Sequence, residues 1–236
     1  MRSLILTTLA SILLAAHVAA TPTVSVHWTE CPFPANESFN RNAGTGPIET
    51  ITVTVKGLSG PVRGAQVWLA FGAQGPLPDA WRYDDEGCEA HRLTMSPGVV
   101  GGSCPPLDGA NPREITRFDY DPLTEKARLV FARAYDGFVA DPSVTYTLGR
   151  FTFDHSAPDP CACLEAPVCI HMINASWVDA DLVEYVFAVE REFLTWNDPA
   201  NTTNCPSSGG DLLTMGACVP TPAASMTWGR VKASYR

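Results

Sequence analysis

Proline and glycine set the strongest constraint on this chain. Twenty prolines and eighteen glycines divide its 236 residues into stretches too short for long helices. What survives between the breaks is β-type. Ile51–Val55 reads ITVTV, a period-two alternation of β-branched residues. Gln66–Phe71 reads QVWLAF and Thr145–Phe153 reads TYTLGRFTF. Ala127–Ala134 reads ARLVFARA, with Leu129 and Phe131 on one face and Arg128 and Val130 on the other. The turns expected between these runs are Leu58–Pro61, Gly75–Pro78 and Asp136-Gly137. Short strands spaced by turns predict an all-β chain folded as an antiparallel sandwich.

The second half reads less simply. Val168–Trp177 and Glu184–Trp196 are predicted to form a β-hairpin with long arms. Leu182, Val186, Val189, Phe193 and Trp196 also fall at helical spacing, but the density of aromatic and β-branched residues favours strand. His155–Asp159 reads as a linker. The expected division is therefore a leader over 1–20, a β-sandwich over 21–155, a cysteine-containing β-hairpin extension over 156–217, and a linker with a short tail over 218–236.

The leader has the marks of a secretory signal peptide. Arg2 supplies the positive start, Leu4–Ala16 an apolar run, and Val18 and Ala20 the small residues of a cleavage site after Ala20. A membrane anchor needs ~20 apolar residues, more than this run supplies, and no later segment is apolar and long enough to span. All eight cysteines follow the leader: Cys31, Cys88, Cys104, Cys161, Cys163, Cys169, Cys205 and Cys218. An even number in an exported chain reads as up to four disulfides. Proximity favours Cys88 with Cys104, whereas Cys161 and Cys163 are too close to pair with each other. Export equally disfavours a zinc site built from Cys161, Cys163, Cys169 and His171.

Charge and motifs narrow the function. The whole chain carries a net charge of −9, and removing Arg2 with the leader leaves −10. That balance opposes nucleic-acid binding, which needs a basic footprint. There is no GxSxG, HExxH or Walker loop, and no thiol is expected to be free as a nucleophile. His27, His91, His155 and His171 are scattered. Acidic residues gather at Asp84-Asp85-Glu86, at Asp119 and Asp121, and at Asp179 and Asp181, but none follows an EF-hand loop. Calcium is the one cofactor these clusters bring into view. Trp28, Trp68, Trp81, Trp177 and Trp196 could build a glycan-stacking face, although tryptophans in sandwiches are mostly core. Trp81, beside Asp79, Arg82 and Asp84, is the best surface candidate. Sequons at Asn36, Asn174 and Asn201 matter only in a host that glycosylates asparagine.

GAQVWLAFG (64–72), PDAW (78–81), ARLVFARA and TYTLGRFTF together resemble a cohesin-type or related immunoglobulin-like extracellular module. The resemblance covers about residues 48–154 and implies a jelly-roll-like sandwich used for protein binding or surface scaffolding. The cysteine-containing second half departs from that pattern, and no segment matches a cohesin's dockerin-binding face. At the far end, TWGRVKASYR places Trp228, Val231 and Tyr235 on one face of a short helix, with Arg230, Lys232 and Arg236 adding charge. Its placement resembles the short C-terminal tags of bacterial secreted proteins. The expectation is a secreted or cell-surface, non-enzymatic module that binds a protein or glycan. The alternatives are a secreted hydrolase with an unrecognised carboxylate site and a calcium-stabilised adhesin.

Overall fold

In the computed structural model, described over residues 21–29, 31, 33, 37–42, 47–98, 103–156, 161 and 164–200, two β-sheets face each other across one apolar core. The strands are β1 (Thr23–His27), β2 (Asn40–Arg41), β3 (Ile48–Lys56), β4 (Gly60–Gly72), β5 (Leu93–Ser96), β6 (Ala110–Asp121), β7 (Lys126–Ala140), β8 (Tyr146–Asp154), β9 (Val168–Asp179), β10 (Glu184–Val186), β11 (Ala188–Arg191) and β12 (Phe193–Trp196). The five-stranded sheet runs β11-β1-β3-β8-β5. The seven-stranded sheet runs β2-β12-β9-β4-β7-β6, with β10 hydrogen-bonded to β9. Pairing is antiparallel except where β1 meets β11 and β12 meets β2. Among the described residues no helix is long and apolar enough to cross a membrane.

The all-β sandwich follows from the alternation in the strands. Ile51, Val53 and Val55 of β3 and Phe151 and Phe153 of β8 turn inward from one sheet. Val67, Leu69 and Phe71 of β4, Leu129 and Phe131 of β7, and Ile170 and Met172 of β9 meet them from the other. Burying each such side chain contributes about 1.5–3 kcal/mol.

Four expectations change. Asp136-Gly137 is not a turn. It lies inside β7, where the β4–β7 register shifts between Val62 and Gly64 and Gly137 adopts φ 61°. An Asp-Gly pair suits the left-handed residue of a bulge as well as that of a turn, and here it bends one long strand.

The hairpin expected after His155 forms, with β9 antiparallel to β10 and β12, but it is built into the sandwich and not packed on it from outside. β9 lies between β4 and β12 in the middle of the seven-stranded sheet. Its partner arm breaks after β10. The buried Phe187 turns into the core and carries the chain across to the other sheet, where β11 pairs with β1. The chain then returns as β12 beside β9. Two crossings in one arm explain the helix-like spacing: burial alternates irregularly because the strand changes sheets.

The cysteines also pair differently. Cys88 bonds Cys161 and Cys31 bonds Cys104, with Cα separations of 5.8 and 5.7 Å. Cys104 cannot reach Cys88 because β5 lies between them in the chain. Thr147, near the start of β8, holds the Cys104 carbonyl through its hydroxyl at 3.0 Å. Cys88 belongs to the opposite end, where Arg92 O accepts from Asp154 N. Each bond closes a loop of 73 residues, a restriction of the unfolded chain of about 4 kcal/mol. Cys169 is disulfide-bonded as well. Cys163, Cys205, Cys218, the leader and the tail bearing Trp228, Val231 and Tyr235 lie outside the described residues.

Trp81 is the clearest correction. It is fully buried, at 0 % exposure, not a surface residue. A short 3-10 turn over Asp79–Trp81 swings the indole inward. There it contacts Phe71 of one sheet (6.1 Å between centroids), Phe153 of the other (5.5 Å) and Trp196 (5.5 Å). The charged neighbours that made the segment look exposed stay at the surface, Asp79 exposed and Arg82 and Asp84 half-buried. Trp81→Ala is expected to lower stability by about 3–5 kcal/mol, read as a drop in the urea midpoint. A change under 1 kcal/mol would place the indole outside the core.

Candidate functional site

β5 ends one sheet and β6 ends the other, so among the described residues each presents an unpaired edge on the same side of the sandwich. Between them is a cleft of about 600 Å³. Leu93, Met95 and Phe118 line it with apolar surface, and the loop after Trp81 brings Asp84, Asp85, Glu86 and His91 to it. Arg117, Asp119 and Tyr120 of β6 line it from the other sheet.

The loop is fixed from several directions. Gly87 N–H donates to Asp84 O at 2.8 Å and Glu89 N–H to Arg82 O at 3.1 Å. A Cβ on Gly87 would lie 2.2 Å from Arg82 O, so only glycine allows the chain this close. The Cys88–Cys161 disulfide fastens the middle of the loop to the chain beyond β8. His91 leaves it with φ 65°, a left-handed conformation that costs energy for a non-glycine residue.

The carboxylates divide into engaged and free. Arg82 donates to both oxygens of Asp84, at 3.2 and 2.8 Å, while its guanidinium lies 4.1 Å from the centre of the Tyr120 ring. Arg117 pairs with Asp119 along β6. Asp85 and Glu86 are exposed and make no hydrogen bond or ion pair among the described residues. Elsewhere, Asp121 accepts from Leu123 N and Thr124 Oγ1, and Asp179 from Asp181 N, Val183 N and Tyr185 Oη. Those acidic stretches serve their own turns. Among the described residues no group of three His, Cys, Asp or Glu side chains is placed to hold a metal ion. Cys161 and Cys169 are committed to disulfides and cannot act as thiolate ligands.

Beneath the loop lies a buried polar group that sequence reading did not find. Glu89 and His155 are almost wholly enclosed, with Glu89 Oε1 3.8 Å from His155 Nδ1. Tyr83 Oη is 3.2 Å from the same imidazole, and Arg92 Nε is 3.7 Å from Glu89 Oε2. Burial pushes the Glu89 carboxyl above its ordinary range, partly offset by Arg92. Burial also pushes the Tyr83 hydroxyl well up, and the His155 imidazole down to about 4 against the pull of Asp154. His155 is therefore neutral at pH 7. No local motif marks this cluster, because the sandwich brings His155, after β8, to Tyr83 and Glu89 on the loop.

Two other surfaces were candidates. Trp28, Trp81 and Trp196 are buried, and Trp177 is half-buried under Tyr185, so the described residues hold no row of open indoles for glycan stacking. Trp68, also half-buried, has Arg128 5.3 Å from its ring and Gln66 beside it. The second surface is apolar: Leu182, Val183, Tyr185, Val186 and Val189 are exposed along β10, β11 and the turn before them.

The neutral imidazole gives a pH signature. Unfolded, His155 takes a proton near pH 6.5; folded, it resists until about pH 4. The unfolded state thus binds more protons in that window, and stability falls as pH falls through it. Glu89, shifted the other way, opposes part of this. The wild type is expected to lose about 3 kcal/mol more than His155→Gln between pH 6.5 and 4, measured by urea unfolding. Parallel curves for the two proteins would contradict a buried neutral His155.

No family model matches the chain, and no curated protein matches it. Among solved structures the chain is similar to cohesin modules. The second type II cohesin module of an adaptor scaffoldin of Acetivibrio cellulolyticus shares 11 % identity at a TM-score of 0.41, covering 74 % of this chain and 89 % of that one. A cohesin module from a Clostridium perfringens family 33 glycoside hydrolase shares 7 % at 0.39, covering 74 % and 93 %. A non-cellulosomal cohesin of the archaeon Archaeoglobus fulgidus shares 11 % at 0.30, covering 75 % and 90 %.

Proposed function

We propose that this chain is an exported, non-enzymatic binding module that takes an extended protein segment into the cleft between β5 and β6. One observation carries the reading: an acidic loop locked by a disulfide and a close-packed glycine stands beside two unpaired strand edges. Edges of this kind offer a row of main-chain donors and acceptors to an added strand, while side-chain pockets supply selectivity. A rigid wall spares the partner the cost of ordering it. Export is supported by the leader read in the sequence and by the disulfides, which persist in oxidising surroundings.

Protein is preferred to glycan because the tryptophans that would stack on sugar rings are mostly spent inside the core. A hydrolase reading fares less well. Glycoside cleavage uses two carboxyl groups flanking the scissile bond. Here Asp84 and Asp119 are paired with arginines, and the free acids Asp85 and Glu86 are adjacent on one loop.

The test is a displayed library of random decapeptides. Cationic, extended sequences are expected to be enriched. Asp85→Asn combined with Glu86→Gln is expected to weaken them about tenfold, equivalent to about 1.4 kcal/mol, with the melting temperature unchanged. Binding that ignores both substitutions would remove the cleft from the account.

A further inference from the structure

Three features of the cleft specify its occupant: main-chain edges unpaired among the described residues, the apolar side chains of Leu93, Met95 and Phe118 within an otherwise polar lining, and two carboxylates without partners there. An extended segment would suit it if one side were apolar and the other basic, because alternate residues of a strand point to opposite sides. Residues 227–236 have that pattern. Extended, they place Arg230, Lys232 and Arg236 on one side, together with Trp228 and Ser234, and Val231, Ala233 and Tyr235 on the other, with no acidic residue among them. In a chain of net charge −9, three basic residues within ten are a local reversal of sign.

We propose that residues 227–236 occupy this cleft in the same molecule, Lys232 and its neighbouring arginines facing Asp85 and Glu86. The proposal rests on the cleft being a binding site, and it names the ligand. Reach is sufficient. Residues 201–226 separate the last described residue, Ala200, from the segment, and fully extended they span roughly 90 Å. A domain of this size is only about 40 Å across. Covalent attachment also gives the segment a millimolar-scale effective concentration, so modest affinity suffices.

Zero-length carbodiimide coupling of the full-length protein, read by peptide mass spectrometry, tests this. Lys56 and Glu190, 2.6 Å apart on the surface, are an internal control that must couple in every sample. Lys232 is expected to couple to Asp85 or Glu86 within the monomer at low salt. The yield should fall at least tenfold in 0.5 M salt, and equally in Arg230→Glu combined with Arg236→Glu, which keeps the reacting amine. The proposal is overturned if the control couples and Lys232 does not. Coupling only in a dimer band, or coupling indifferent to the charge reversal, would also overturn it. Failure here alongside library peptides that still need Asp85 and Glu86 would discard the tail and keep the cleft; loss of both would discard the cleft as well.

Discussion

The packing of Trp81 between the two sheets is the contact on which the rest of this end of the molecule depends. Its indole touches Phe71, Phe153 and Trp196, and so draws residues of β4, β8 and β12 into one aromatic cluster. A sandwich is open where its strands end, and an open end admits water to the core. Here a large side chain on a short 3-10 turn closes it. The chain leaves that turn directly into Arg82 and the acidic loop, so the residue that seals the core also sets where the loop begins.

The polar group under the loop follows from this arrangement. Tyr83, Glu89 and His155 lie where the loop crosses the end of β8, with Trp81 edge-on to His155 at 5.4 Å. Enclosing them is costly, and the cost is limited by keeping His155 neutral and Glu89 beside Arg92. Such a group tolerates little displacement, since a shifted partner leaves a buried polar atom unsatisfied. Together with the disulfide and Gly87, it turns a hydrophilic surface loop into a positioned wall.

The architecture was legible wherever one face of a strand is buried. ITVTV, QVWLAF and ARLVFARA lie in strands, as does TYTLGRFTF from its second residue on, because alternation records which face meets the core. β6 escaped notice for the opposite reason. As an edge strand exposed along most of its length, and containing Pro112, it carries little of that pattern. The acidic triplet at Asp84–Glu86 was visible as composition. Its separation into one arginine-bound and two free carboxylates was not, since that depends on how Arg82 lies across Tyr120. Trp81 misled because its neighbours in sequence are charged, and a three-residue turn is enough to reverse the direction of a side chain. Disulfide pairing depends on where β5 and β8 carry their ends, and distance along the chain holds no record of that.

Whether the loop is a fixed wall is best measured by native-state hydrogen exchange at Gly87 and Glu89, whose amides bond Asp84 O and Arg82 O. Rigid positioning by the disulfide and the buried group predicts exchange in the oxidised protein as slow as that of β4 and β7, and faster after reduction. Exchange at the rate of an unprotected peptide, while β4 and β7 remain protected, would contradict it.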